Sequence, residues 1–280
     1  MTEFLMKDNE LHALASLLDD DDKTVLLMVE KQIYAIGSPM IPFLAKEIEK
    51  KPAKATEIRI KKILADLRLV LVMQRLTEWK NTDQKDLLAG LWAISSYQYP
   101  TLDIKDLKIQ IEQLYYDIWQ VMREDLHPYD QIKIMNSIFF GKQKFQPNPD
   151  FQSIDNSMIN KVLENRLGNP ITLCCVYILL AEKLKLPIYG VNLPNIFMLM
   201  YNNDLYQFYI NPTNKGVIFH RSDIENYIEQ LAIPNSEDYY IPCQNIDILK
   251  RILRNLGYAF EKQNLLPYVT EVKQILNVLS

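Results

Sequence analysis

The pattern of apolar and polar positions predicts helix after helix through the first half of the chain. A leucine stripe that begins at Leu11 ends at the acidic run 19–22, and a second stripe ends at Gly37. The pair Ser38-Pro39 follows and is typical of a helix start, because proline is preorganised for the first helical turn. Apolar residues at helical spacing predict further helices over 56–78, 83–97 and 104–124.

The pattern changes after residue 128. A short helix ends at Gly141, a polar loop covers 143–155, and two helices are predicted over 157–166 and 171–185. Short β-rich runs then predict four strands over 188–191, 197–201, 205–210 and 217–219. Helices are predicted again over 223–230, 245–262 and 266–279. The fold class is therefore α+β and predominantly α, with a small antiparallel sheet packed on a central helix.

Three regions follow from this order of elements: a helical domain over 1–127, a core over 128–240, and a helical tail over 241–280 packed on the core. The first region reads as helix, acidic turn, helix, Gly-Ser-Pro and helix, which resembles one unit of a HEAT-like repeat. An ordinary helical bundle fits that pattern equally well. The antiparallel tail pair resembles a single tetratricopeptide unit.

Composition and charge exclude several functional classes. Hydrophobic residues make up 48% of the 280 residues and charged residues 24%, which are ordinary globular values. The net charge of −4 argues against a nucleic-acid-binding protein. With 7 glycines and no glycine-rich phosphate motif, no nucleotide cofactor is expected.

The cysteine and histidine content predicts neither disulfides nor a metal site. Three cysteines, two of them adjacent, cannot form a disulfide framework, and no Cys or His spacing suits a metal ion. The first ten residues lack the character of a signal peptide, and the apolar run 69–73 is too short to cross a bilayer. We therefore expect a cytoplasmic protein with reduced thiols, no membrane association and no cofactor.

The segment 139–219 carries a dense set of motifs in one order. They are Phe140-Gly141, Asp155-Asn-Ser157, Val162-Leu-Glu-Asn-Arg166, Gly168, Pro170-Ile-Thr-Leu173, Leu186-Pro187, Gly190-Val-Asn-Leu-Pro194, Phe197 and Asn211-Pro212. Together they resemble the bacterial transglutaminase-like core family that includes the SirB proteins. The resemblance implies a papain-like core, in which a central helix carries a nucleophilic cysteine and a sheet presents a histidine and an aspartate for acyl transfer.

The positions that match this catalytic triad hold other residues. Pro170 stands where the nucleophile is expected, Ile196 where the base is expected, and Asn211 where the acid is expected. Because isoleucine cannot accept a proton, the alignment removes the mechanism. The leading hypothesis is therefore a non-catalytic, protein-binding or scaffold protein whose partner is another protein or a peptide.

A rival hypothesis keeps an enzyme. In it, Cys174 or Cys175 would act as the nucleophile of a cysteine-dependent amidohydrolase or acyltransferase, with His220 as a relocated base. Both cysteines lie more than one turn into the apolar central helix, where the help of the helix dipole has faded. A packing role is the simpler interpretation of both.

The remaining candidates for function are polar residues expected to gather around the former cleft: Arg166, Asn192, Asn195, Asn202, Asn214 and Lys215. Arg166 has a second interpretation, because it can pair with a carboxylate and support its loop. Lys250, Arg251 and Arg254 form a basic stripe on the first tail helix, which fits a solvated face or, as the less common alternative, a modest site for an acidic partner.

Overall fold

The computed structural model describes residues 7–280 and is predominantly helical. The helices are α1 (Asp8–Ser16), α2 (Lys23–Ile36), α3 (Ile41–Glu49), α4 (Lys54–Lys80), α5 (Leu87–Ser95), α6 (Ile104–Trp119), α7 (Pro128–Asn136), α8 (Ile159–Asn165), α9 (Pro170–Lys183), α10 (Arg221–Gln230), α11 (Asn245–Lys262) and α12 (Leu266–Val278). The strands are β1 (Gln146–Pro147), β2 (Leu167–Gly168), β3 (Ile188–Asn192), β4 (Phe197–Asn202), β5 (Gln207–Asn211) and β6 (Val217–Phe219). The predicted α+β, predominantly α class is confirmed.

The chain forms two compact units. The first comprises the residues up to Arg75 together with Ser96–Leu102, and the second comprises Leu76–Ser95 and Asp103–Ser280. These units divide the chain elsewhere than at residues 127 and 240, and the three-region division stays a prediction.

The first unit is built from α1, α2, α3 and most of α4. Its core is a cluster of buried aliphatic side chains that includes Leu18, Ile33, Leu44 and Leu67. Helix α2 begins where the Asp22 carboxylate accepts a hydrogen bond from the Thr24 amide at 2.7 Å. These contacts explain why the predicted leucine stripes become helices here.

The second unit contains an antiparallel sheet in the order β3-β4-β5-β6. All four predicted strands are present, with Gly190 opposite Leu199 and Tyr201 opposite Phe208. Helix α9 packs against β3 and β4. On the opposite face, Tyr209 belongs to a buried cluster with α10 residues. The sheet is thus covered on both faces.

The largest differences from the predicted elements concern α6 and the loop 143–155. Helix α6 ends at Trp119 rather than at residue 124, although apolar residues continue beyond it. The predicted loop 143–155 contains strand β1, which pairs in parallel with β2. A strand of two residues shows no periodicity in the sequence, so only the fold reveals it.

A polar contact around Gly216 connects helices α7 and α9 to the turn between β5 and β6. The Asn136 side chain donates to the Gly216 carbonyl at 2.9 Å and accepts from the Tyr177 hydroxyl at 2.9 Å. Gly216 has φ +74°, and a β-carbon there would overlap the Asn136 amide. This position therefore requires glycine for two reasons: its backbone conformation and the lack of space for a side chain.

We expect Gly216→Ala to lower the free energy of unfolding of the second unit by about 1–3 kcal/mol. Gly257→Ala, inside α11, is the matched control: its new methyl group would lie 3.5 Å from Val272, and we expect a gain of about 0.5–1 kcal/mol. Urea unfolding followed by tryptophan fluorescence tests both, since all three tryptophans lie in this unit. An unchanged midpoint for Gly216→Ala would contradict the argument.

Candidate functional site

Helix α9 begins at the position that the resemblance assigns to the nucleophile. The Asn169 carboxamide oxygen accepts a hydrogen bond from the Thr172 amide at 3.0 Å, and Pro170 follows as the first helical residue. This is a sequence built to start a helix, because asparagine caps it and proline is preorganised for the first turn. Pro170 brings neither a thiol nor a backbone N–H to that point.

The loop before α8 is held against this helix start. The Thr172 hydroxyl, fully buried, lies 2.8 Å from the Asn156 carbonyl oxygen. The Asn156 side chain in turn donates to the Asp150 carbonyl at 2.8 Å and accepts from Asn148 at 2.7 Å. A cavity wall is thereby built from the polar loop that follows Gly141.

The cavity, which we name the α9 pocket, has a volume of about 230 Å³. It is lined by the loop and helix-start residues Phe151, Ser153, Asn156, Ser157, Asn169, Pro170 and Ile171, by Asn195 and Phe197, and by the α11 residues Arg251, Asn255, Tyr258 and Ala259. These lining residues include no carboxylate, imidazole or thiol. The pocket therefore presents donors and a positive charge, but no group suited to taking a proton at neutral pH.

Arg251 is the cation of the α9 pocket. Its Nη1 donates to the Asn192 carboxamide oxygen and, at 3.0 Å, to the Leu193 carbonyl, and its guanidinium lies 5.6 Å from the centre of the Phe197 ring. Burial lowers the pKa of Arg251 below its ordinary value, although the group stays charged. The expected solvated stripe is therefore wrong for this residue, whereas Arg254 on the same helix is exposed.

The other two triad positions lie in a different cavity of about 110 Å³, which we name the α10 pocket. Ile196 and Asn211 line it, with Met198, Phe219, Asp223, Ile224 and Tyr227. The Asn211 side chain accepts from the Thr213 amide at 2.9 Å and from the Thr213 hydroxyl at 2.6 Å, so it caps the turn that follows β5. The fold brings the base and acid positions together and leaves the nucleophile position in the α9 pocket.

Both cysteines of the rival hypothesis are buried in the core. Cys174 and Cys175 have no exposed surface, and the Cys174 sulfur lies 3.9 Å from the Phe197 carbonyl oxygen. Burial raises the pKa of each thiol above its ordinary value. Cys243, which is half-buried, has its pKa raised to about 12, again chiefly by burial. All three are therefore neutral thiols at physiological pH.

His220 caps helix α10. Its backbone N–H donates to the Asp223 carboxylate at 2.7 Å, and its ring lies 6.4 Å from the Tyr129 ring. Within residues 7–280, no hydrogen bond joins His220 to a cysteine. The fold therefore does not bring His220 together with the candidate nucleophiles Cys174 and Cys175.

The polar candidates do not gather around one cleft. Asn195 lines the α9 pocket and Asn192 contacts Arg251 at its edge. Asn202 ends β4, a six-residue strand, so it lies roughly 17 Å from the pocket end of that strand. Asn214 and Lys215 belong to the turn after β5, and neither lines the α9 pocket.

Arg166 supports its own loop, and within residues 7–280 it forms no ion pair with a carboxylate. It has φ +61°, donates to the Leu163 carbonyl, and stacks its guanidinium 4.8 Å from the centre of the Phe145 ring. Burial is the main cause that lowers its pKa. The expected carboxylate partner is therefore replaced by a carbonyl oxygen and an aromatic face.

Sequence reasoning missed the contribution of α11 to the pocket. Arg251, Asn255 and Tyr258 follow one another at intervals of four and three residues, so they share one helix face. That spacing was readable in the sequence, but the partner surface of the face was not.

The described residues contain neither a metal-binding cluster nor a helix that could span a membrane. Nowhere in 7–280 do three or more His, Cys, Asp or Glu side chains come close enough to hold a metal ion. Within the same range, no helix combines the length and apolar character that crossing a bilayer requires.

Thiol labelling tests the burial of the cysteines. At pH 8 we expect iodoacetamide to leave Cys174 and Cys175 unmodified in the native protein, because the thiols are both inaccessible and neutral. A pKa near 12 leaves Cys243 roughly a thousandfold less thiolate than a free cysteine, so its labelling should be slow at pH 8 and faster at higher pH. Peptide mass spectrometry reads the result, with urea-unfolded protein as the control. Rapid labelling of Cys174 or Cys175 at pH 6 would contradict this prediction.

Comparisons with known proteins find one family and several relatives that are similar to part of this chain. Residues 105–254 match the transglutaminase-like superfamily. The chain is 27% identical over 186 residues to a UPF0162 protein of Xylella fastidiosa (strain 9a5c), a match that covers 64% of this chain and 66% of the relative. A UPF0162 protein of strain Temecula1 is 28% identical over 195 residues, covering 65% and 69%.

The human F-box only protein 21 is 27% identical over 177 residues, covering 54% of this chain and 28% of that protein. The chain thus spans about two thirds of the bacterial relatives and a smaller part of the human one. No solved structure gives a significant match. Because the family match extends over more than half of the sequence, this chain belongs to the transglutaminase-like superfamily.

Proposed function

We propose that this chain is a non-catalytic protein of the SirB-type branch, which binds a peptide segment of a partner protein in the α9 pocket. The observation that carries the proposal is the split of the triad positions. Pro170 begins α9 in one pocket, while Ile196 and Asn211 lie in another. Acyl transfer needs a nucleophile and a base within hydrogen-bonding reach of each other, and these residues supply neither.

The retained cavity supports binding rather than simple loss of function. A core that had lost its role entirely could close over this space with apolar side chains. Instead, three elements far apart in sequence meet around an arginine and several carboxamides. Such a small number of placed polar groups in a concave site is typical of ligand binding.

The helical flanks supply the rest of the proposed scaffold. The arrangement of α1 to α3 resembles a HEAT-like unit, and the α11–α12 pair resembles a tetratricopeptide unit; both kinds of repeat are used as protein-binding surfaces. The matched region is a minor part of the human relative, which supports its use as a module within longer proteins. We place this scaffold in the cytoplasm, where its three thiols stay reduced.

Binding can be measured with a pool of eight-residue peptides, half with a free C-terminal carboxylate and half amidated, by ligand-observed NMR. We expect a subset to bind and Asn255→Trp to abolish their binding by filling the α9 pocket. Arg254→Trp, which places the same bulky side chain at the adjacent exposed position, is the control and should leave binding intact. A pool in which no peptide binds would remove the proposal.

Catalysis is tested on the same material. Incubation with a glutamine-containing peptide and a primary amine should release no more ammonia than a blank without protein. Ammonia release that is lost in Cys174→Ala or Cys175→Ala would instead support the rival hypothesis of a cysteine-dependent amidohydrolase or acyltransferase.

A further inference from the structure

One edge of the Arg251 guanidinium makes no hydrogen bond to any of the described residues. Both Nη1 hydrogens are used by Asn192 and the Leu193 carbonyl, whereas the Nε–Nη2 edge makes no hydrogen bond within residues 7–280. In the same range, no carboxylate forms an ion pair with this side chain. The free edge carries two parallel N–H groups, which is the geometry that matches the two oxygens of a carboxylate.

The surroundings of Arg251 add positive potential without neutralising it. The lining residues of the α9 pocket include no acidic side chain, and the N-terminus of α9 opens into the same cavity. The nearby Arg254 disfavours the charged form of Arg251, as a second cation would. The pocket is therefore locally positive although the overall charge of the protein is −4, and an anionic group would complement it.

The size of the α9 pocket and the residues at its rim limit which anionic ligands it can bind. At about 230 Å³ the cavity is smaller than the roughly 300 Å³ at which pockets for drug-sized ligands begin. A volume of this size suits the end of a chain. Phe151 is 74% exposed and Tyr258 is 54% exposed although both line the pocket, so they offer apolar surface to a neighbouring side chain.

We propose that the α9 pocket binds the C-terminal carboxylate of a peptide whose last residue is apolar. The Nε–Nη2 edge of Arg251 holds the carboxylate, and the Phe151 and Tyr258 rings contact the last side chain. This inference rests on the proposed peptide-binding function and narrows it to chain ends.

Three probes test the inference by fluorescence anisotropy. They are fluorescein-labelled Gly-Ser-Gly-Ala-Phe with a free C-terminus, its C-terminal amide, and unlabelled N-acetylphenylalanine as a competitor. We expect the acid to bind at least tenfold more tightly than the amide. Arg251→Gln should remove that difference, whereas the control Arg254→Gln, with the same charge change on the exposed face, should leave it within threefold.

The outcomes separate this inference from the function on which it rests. Equal affinities of acid and amide would overturn the carboxylate site and leave peptide binding in place. No binding of either probe, while members of the peptide pool bind, would do the same. A further outcome is that N-acetylphenylalanine displaces the labelled peptide at the same concentration as the unlabelled pentapeptide does. That result would contradict a site for peptide C-termini and indicate a site for small carboxylates instead. Should Arg251→Gln fail to fold, the acid–amide comparison in the unmodified protein still decides.

Discussion

Helix α9 is buried without interruption from Ile171 to Tyr177, and the second unit is organised by that burial. It packs against β3 and β4, and α6, α8 and α11 surround it. The stretch from Ile171 to Tyr177 cannot carry an unpaired charge, because desolvation of such a charge costs far more than packing returns. The cysteines at 174 and 175 are therefore neutral parts of the core.

The same constraint leaves the polar groups of the α9 pocket at the start of the helix, while the buried Tyr177 hydroxyl is paired with Asn136. At the start of α9, the Asn169 carboxamide oxygen accepts from the Thr172 amide, one of the donors that a helix leaves unpaired, and the buried Thr172 hydroxyl donates to the Asn156 carbonyl. The remaining space is enclosed by α11, whose Arg251 is held by the turn between β3 and β4. One guanidinium thus connects the tail helix to the sheet and supplies the charge of the cavity, while its Nε–Nη2 edge makes no hydrogen bond within residues 7–280.

Much of the fold could be predicted from the sequence, because periodicity reports local structure directly. The four strands and the tail helices fall within a few residues of their predicted bounds. The parallel pair β1–β2 and the end of α6 could not be predicted, since short pairing and helix ends depend on neighbours distant in sequence. Asn202 was expected at the site because its residue type suits binding, yet strand length carries it to the far end of β4.

The sequence alone determined that the catalytic residue types are absent at Pro170, Ile196 and Asn211, since residue identity decides which groups can transfer a proton. Only the tertiary structure decided that these three positions divide between two pockets. It also decided that Arg251, read from the sequence as part of a solvated stripe, turns into a cavity. The physical reason is that a helix's periodicity shows which residues share a face, whereas the surface that the face meets is set by chain segments far away in the sequence.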